Sequence, residues 1–367
     1  MVLVGGVHGD EPAGCEAIER VFGELDPELL SGTVVGLRGN LRAASAGVRF
    51  LERDLNRGWT AERLTQLVAS APATLCGEDL EQLDLFRTFR TLASDSTGTL
   101  TVLDLHTHAD PGPPFVSMSD VLRNRRIAFS LPLPVVLGLE EVNEGSMLGY
   151  LCDAGHVGVS VQGGLHREPS TVARLEAAAW LALVATGSLA PEDVPGGYAQ
   201  RRALLEDASE GLPTVIEVRH RHARREGDQL ELVPGVRSFQ PVKKRQVVAR
   251  DVRGDLRAPQ AGFLLLPRDR SQHGYFIARP VAKLWLGLSA GLRRVRADRV
   301  LARLPGVERH PVRGETYLVD PRVARFMVRE VFHLFGFRYV EPEGPYLAFS
   351  RRRPDDAPSA LPALTSI

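Results

Sequence analysis

The chain has 367 residues, 44% hydrophobic and 25% charged, which is long enough for two or three domains and a large core. Its 45 lysines and arginines balance its 45 acidic residues, and a net charge of zero gives no global field for nucleic acid or an anionic membrane. Three scattered cysteines (Cys15, Cys76, Cys152) without a CxxC pair exclude a disulfide framework and a thiolate zinc site, and no basic leader with a following apolar run is present, so a soluble cytoplasmic protein is expected.

The apolar run Val2–Val7 predicts a buried strand that breaks at the glycine pair Gly5-Gly6 and delivers His8 and Glu11 just beyond its end. A helix follows over Pro12–Leu25, with Ala13, Ala17, Ile18, Val21 and Phe22 on its apolar side. Gly32–Leu37 reads as a strand and Glu78–Ala93 as a helix carrying Leu80, Leu83, Phe86, Phe89 and Leu92. Leu100–Leu105 is an apolar strand ending at His106, Val157–Val161 a short β-branched strand, and Pro169–Val184 a helix opened by proline. Alternation of this kind predicts an α/β fold, a mostly parallel sheet flanked by helices, over residues 1–195. The stretch Ala190-Pro-Glu-Asp-Val-Pro-Gly-Gly197 marks a boundary. Residues 198–282 then show short β-rich runs (Thr214–Arg219, Gln229–Val233, Gln246–Ala249, Gly262–Leu266, Tyr275–Ala278) and read as a small antiparallel β domain. Residues 283–350 read as a helical C-terminal region, with helices at Leu284–Leu304 and Pro321–Phe335, and 351–367 as a disordered tail. His220 and His222 alternate on a strand beside Arg219 and Arg221, where a solvated face is expected. The basic run at Arg293 lacks interleaved aromatics and reads as a solvated helix face, not a nucleic-acid site.

Sites in open α/β sheets are built at the carboxyl ends of strands. An imidazole and a carboxylate three positions apart at such an end, His8 and Glu11, suit a divalent metal, zinc first among them. The competing reading is a loop histidine beside acids that favour a helix N-terminus. Catalytic zinc takes three protein ligands. His106 stands at the exit of another core strand and is the third candidate, with Asp104 able to orient its ring; His108 competes for the same role. Between them lie Arg49 and the run Asp54-Leu-Asn56-Arg57, whose guanidinium forks suit carboxylate recognition and oxyanion stabilisation.

Gly6-Val-His8-Gly-Asp-Glu11, Gly39-Asn40, Arg49-Phe50, Asp54-Leu-Asn56-Arg57 and Asp104-Leu-His106-Thr107 occur in that order. Together they resemble the succinylglutamate desuccinylase/aspartoacylase family, relatives of the zinc carboxypeptidases, and Pro234-Gly-Val-Arg-Ser-Phe-Gln-Pro-Val-Lys-Lys is similar to that family's C-terminal β domain. The resemblance implies zinc held by His8, Glu11 and His106, Arg49 polarising a scissile carbonyl, and Asn56 with Arg57 holding a substrate carboxylate. It places Asn40 with the substrate-binding residues and offers Tyr275, in Gln272-His-Gly-Tyr275, as a tyrosine lent by the β domain; an exposed turn tyrosine is the alternative there. The function implied is a hydrolase that removes an acyl group from a small carboxylate-bearing substrate; self-association is left open.

Two departures qualify this. The family pattern Val-Glu-x-Gly-x-His carries a general base, and the matching segment here, Val161-Gln162-Gly163-Gly164-Leu165-His166, has an amide at that position. An amide cannot take the proton at neutral pH. Either the protein is impaired or repurposed as a binding or regulatory homologue, or a neighbour (His166 or Glu168) substitutes, or the substrate is an ester that makes little demand for leaving-group protonation. The family also carries another strand before the first motif, whereas Met1 begins directly on it, which points to a truncated start.

Overall fold

The computed structural model describes residues 1–96, 98–109, 111–141, 145–223, 230–265, 273–324, 327–340, 342–352 and 361. In chain order the N-terminal half runs β1 (Val2–Gly5), α1 (Ala13–Glu24), β2 (Val35–Arg38), α2 (Leu41–Ala46), α3 (Ala61–Ala69), α4 (Gly77–Asp95), β3 (Thr101–His108), β4 (Phe115–Met118), α5 (Leu122–Ala128), β5 (Val135–Leu137), α6 (Met147–Asp153), β6 (Val157–Leu165) and α7 (Pro169–Thr186). It continues with α8 (Tyr198–Ala208), β7 (Val215–Ala223), β8 (Glu231–Leu232), β9 (Pro241–Val242), β10 (Val247–Asp251), β11 (Gly254–Arg257), β12 (Gly262–Leu265) and β13 (His273–Pro280). The last segment holds α9 (Lys283–Arg294), β14 (Val307–Arg309), β15 (Thr316–Val319), α10 (Val328–Leu334), β16 (Phe337–Tyr339) and β17 (Leu347–Arg351).

One ten-stranded sheet organises the molecule, in the order β2-β1-β3-β6-β4-β5-β7-β13-β12-β9. From β2 to β7 every pairing is parallel except β6 with β4; beyond β7 the pairings are antiparallel. Strands buried on both faces need apolar side chains throughout, and β1 (Val-Leu-Val-Gly) is buried along its whole length. On one face Leu103, Leu105, Val159 and Val161 pack under α1 and α7, with Trp180 fully buried; on the other, Val2, Val4 and Val102 pack against Trp59, Phe86, Phe89 and Leu151. Each such side chain contributes about 1.5–3 kcal/mol by leaving water.

The expected α/β class therefore holds. The strands expected at 198–282 are present, but β7, β13, β12 and β9 extend the large sheet, while β11-β10-β8 form a separate three-stranded sheet. The region 283–350 differs more. It carries α9 and α10, yet its core is a four-stranded antiparallel sheet, β14-β15-β17-β16, around Phe332, Phe337 and Phe349. Its strands are three to five residues long, too short for an alternation signal to stand out. The expected helix over Pro321–Phe335 is only α10, with Phe326 outside the described residues. Arg351 and Arg352, expected to open a disordered tail, are ordered: Arg351 ends β17, and Arg352 is buried against Glu140 and Glu141. The rest of that tail, 353–360 and 362–367, lies outside the described residues.

Candidate metal centre

β1 and β3 are adjacent and parallel, so their carboxyl ends lie side by side and bring residues 8 and 106 together. The turn after β1 depends on two glycines. Gly6 adopts φ +67°, and a Cβ on Gly9 would sit 2.2 Å from the Ala43 backbone, so only glycine lets the His8 loop lie against α2. Glu11 N donates to His8 O at 3.1 Å and closes the turn that faces both side chains inward, just ahead of α1.

His8 Nδ1 lies 2.9 Å from Glu11 Oε1, and His106 Nδ1 lies 3.1 Å from Glu11 Oε2. All three residues are buried, and one ligand atom from each falls within 4.8 Å of the others. The opposite ring nitrogens are held from behind: His8 Nε2 faces Asp54 Oδ1 at 3.0 Å, and His106 Nε2 faces Asp104 Oδ2 at 2.8 Å. Thr107 N donates to Glu11 Oε2 at 2.8 Å. Burial opposes charge on His106, but Asp104 and Glu11 outweigh it and push its pKa up to about 10. Burial likewise opposes charge on Glu11, which the two imidazoles hold well below the usual carboxylate range.

This donor set fits a divalent cation. Two imidazoles present the same nitrogen to a shared carboxylate while carboxylates fix the other nitrogen, the arrangement that orients histidine toward metal. Ligation of a metal requires both imidazoles neutral, and the three carboxylates (Glu11, Asp54, Asp104) with one guanidinium (Arg49) would then leave two negative charges in a buried cluster for a dication to balance. The other grouping of potential ligands among the described residues, Glu52, Cys76 and Glu78, is a poor match, because Glu78 is committed to backbone donors and Glu52 is exposed.

Arg49 sits against the ligands: Nη1 donates to Glu11 Oε1 at 3.1 Å and Nη2 lies 3.7 Å from Asp54 Oδ2. Its loop is fixed by Gly9 N bonding Arg49 O (3.1 Å) and by Glu78, which accepts from Leu51 N (2.7 Å) and Glu52 N (3.1 Å). A cavity of about 590 Å³ opens beside these residues, lined by Asn56, Arg57, Gln162, His108 and His166 among others. Asn56 Oδ1 accepts from Met147 N at 2.9 Å, tying that loop to α6. Gln162 pairs in register with His106 on one side and Phe115 on the other.

Three expectations fail on position. Asn40 does not reach the cavity; its Oδ1 caps α2 through Ala43 N (3.1 Å) and its Nδ2 donates to Glu78 (3.3 Å), so it is a structural residue. Tyr275 is neither a lining residue nor exposed; it is buried in the β-rich segment and stacks on His222 at 5.1 Å, so those histidines face a ring and not solvent alone. Burial, with Asp251 nearby, pushes the Tyr275 hydroxyl up to about 12. Glu168 is half-buried at the start of α7, where it accepts from Ser170, and does not line the cavity, whereas His166 does and bonds Thr107 Oγ1 at 2.5 Å. Among the two suggested substitutes for the missing base, only His166 is in place.

The sequence reading missed Asp54 behind His8, Glu78 beneath the arginine loop, and the cavity floor. The floor did leave a trace. β6 reads Val-Gly-Val-Ser-Val-Gln, with valines packed into the helical core and Gly158, Ser160 and Gln162 turned to the cavity. A central strand apolar on one face only signals a hollow on the other.

Comparison with known proteins agrees with this fold. Residues 1–111 match the family model of the succinylglutamate desuccinylase/aspartoacylase catalytic domain. A succinylglutamate desuccinylase/aspartoacylase structure from Rhodobacter sphaeroides superposes with a TM-score of 0.56 at 18% identity, covering 77% of this chain and 85% of that one. Succinylglutamate desuccinylase from Vibrio cholerae gives 0.51 at 19% identity (77% and 81% covered), and murine aminoacylase 3 gives 0.51 at 16% (76% and 94%). No curated protein matches the sequence. The resemblance read from the sequence motifs thus stands, and at these identities the structural likeness is one of fold.

Proposed function

We propose that the chain is a zinc-dependent hydrolase that removes an acyl group from a small carboxylate-bearing substrate, an N-acyl amino acid or an ester. The observation that carries this reading is the convergence of His8, Glu11 and His106 on a cavity that Arg57 and Asn56 also line. A dication held by those three residues would supply Lewis acidity toward a carbonyl and make water more acidic. Arg49, beside the ligands, is placed to stabilise developing negative charge on the carbonyl oxygen. Asn56 and Arg57 would receive the substrate carboxylate, a guanidinium giving the planar two-point contact that a carboxylate fits. Three unpaired cysteines support a cytoplasmic setting, and no helix among the described residues is long and apolar enough to cross a membrane.

Gln162 limits the chemistry. Its amide can bind a leaving group but cannot carry the proton, while His166 stands in the same cavity with an imidazole that can. The second reading, a weakly active or inactive homologue that keeps the pocket for binding, rests on this substitution alone. Hydrolysis of N-acyl amino acids and simple esters with added zinc, by the native chain and by Gln162→Glu, separates the two. If the native chain is a hydrolase limited by its amide, Gln162→Glu raises amide turnover by about 10²–10⁴-fold. No turnover of either class by either protein would sink the hydrolase reading.

A further inference from the structure

Just beyond Gln162 the register between β3 and β6 slips. His106 faces Gln162, but His108 faces Leu165, so β6 spends three residues where β3 spends two. Such bulges are rare in parallel pairs and occur beside active sites, where they re-aim a side chain. This one is built on a glycine pair: Gly164 adopts φ +133°, and a Cβ on Gly163 would sit 2.5 Å from Leu175 of α7. The extra residue draws the turn after β6 back by one position, about 3.3 Å. His166 is thereby brought beside Thr107. Its N donates to His108 O at 3.3 Å, and the turn is pinned by Glu168 N and Thr171 Oγ1, which both donate to Leu165 O, at 3.3 and 2.9 Å.

Thr107 bonds in two directions. Its N donates to Glu11 Oε2 at 2.8 Å, and its Oγ1 lies 2.5 Å from His166 Nδ1. A buried residue thus joins a carboxylate of the candidate metal centre to a half-buried imidazole that lines the cavity. With Nδ1 turned to the hydroxyl, Nε2 is the ring nitrogen turned away from it. The bond made by one ring nitrogen decides the role of the other. An imidazole that gives Nδ1–H to Thr107 Oγ1 keeps a lone pair on Nε2, and it keeps the same bond once Nε2 is protonated.

We propose that Thr107 is a positioning residue that sets His166 as the proton carrier in place of the amide at Gln162. The proposal rests on the hydrolase reading. His166 Nε2 takes a proton from the attacking water as the new C–O bond forms, and gives it to the leaving nitrogen as the C–N bond breaks. The products are a free amine and a carboxylic acid that ionises to solvent.

Nitrogen NMR of the metal-free protein at pH 8, where an ordinary imidazole is neutral, reads the ring without turnover. Native His166 is the Nδ1–H tautomer. Thr107→Val keeps the shape and the N–H to Glu11 but loses the hydroxyl, and shifts the ring toward Nε2–H. A native Nε2–H ring, or a tautomer unmoved by the substitution, overturns the proposal. Hydrolysis of N-acyl amino acids is the second arm. Thr107→Val lowers kcat at least about 10-fold with KM and zinc affinity unchanged, Thr107→Ser restores it, and His166→Gln costs about 10²-fold or more. The double variant is no slower than His166→Gln, because the hydroxyl acts through the ring. A native kcat in Thr107→Val or His166→Gln, or losses that add in the double variant, overturns the proposal. Should Thr107→Val fail to fold, His166→Gln, on a half-buried turn, decides on kcat, and Thr107→Ala replaces valine in the tautomer measurement. Absence of turnover in every protein contradicts the hydrolase reading, and the tautomer alone then decides whether Thr107 sets the ring.

Discussion

His8 and His106 are each gripped on the nitrogen away from Glu11, by Asp54 and Asp104, and this decides which atoms they offer to a cation. A ring free to turn would lose that choice at each binding event. Asp104→Asn keeps the shape but lacks the charge that favours the Nδ1-presenting ring, and such supporting partners are typically worth 10–100-fold in metal affinity. Competition with a chromophoric zinc chelator measures it; an unchanged affinity would remove Asp104 from the account. Individual residues at the site were largely legible in the sequence, because strand ends followed by His-x-x-Glu and Asp-x-His are local patterns. Asn40 and Tyr275 were misread because a motif fixes chemistry but not direction: Asn40 spends its amide on a helix cap and on Glu78, and Tyr275 lies inside the β-rich core.

At the scale of elements, the arginine loop shows how a helix start can serve a site at a distance. Glu78 opens α4, is fully buried, and accepts backbone donors from Leu51 and Glu52, two and three residues beyond Arg49. Removing it leaves two part-buried N–H groups without that acceptor, at a cost of about 1–3 kcal/mol in all. Glu78→Ala is expected to lower stability by about 1–3 kcal/mol in urea unfolding and to raise KM through a displaced Arg49 loop. Native-like stability and KM would show the loop is held by something else. The larger elements α1, α4, β3, β6 and α7 were readable because each carries a long apolar pattern, and the four-residue β1 because its apolar run ends at a glycine pair. The short ones, such as α2, β4, β5 and the β14–β17 sheet, were not, since three to six residues carry too little periodicity to stand out from loops.

Across the whole molecule, the C-terminal segment is docked by buried ions. Asp120 accepts from Arg125 (2.8 and 3.0 Å) and Arg293 (2.6 Å), joining α5 to α9. His333 of α10 lies between Glu217 of β7 and Glu141, 3.1 Å away. Arg219 and Arg352 serve the same two carboxylates. Burial opposes charge on His333, but Glu141 and Glu217 outweigh it and push its pKa up to about 9 from an ordinary value of 6.5. Since the folded value exceeds the unfolded one, this contribution to stability is complete below about pH 6.5 and is lost as the pH rises through about 9. Urea midpoints measured from pH 6 to 9.5 are expected to fall over that window, with a flatter profile in His333→Gln. Identical slopes for the two proteins would contradict the assignment. This docking was not visible in the sequence, where Arg219 and Arg293 read as solvated faces and Arg352 as part of a tail; burying Arg293, His333 and Arg352 takes partners more than a hundred residues away.

The claim on which the rest depends is that His8, Glu11 and His106 hold one cation. Elemental analysis of protein purified without chelators tests it directly, with His106→Ala alongside. The account predicts close to one equivalent of zinc in the native chain and a near-complete loss in the variant, with both proteins folded by circular dichroism. A folded native chain without bound metal, even after incubation with zinc, or a variant that keeps its metal, would contradict it.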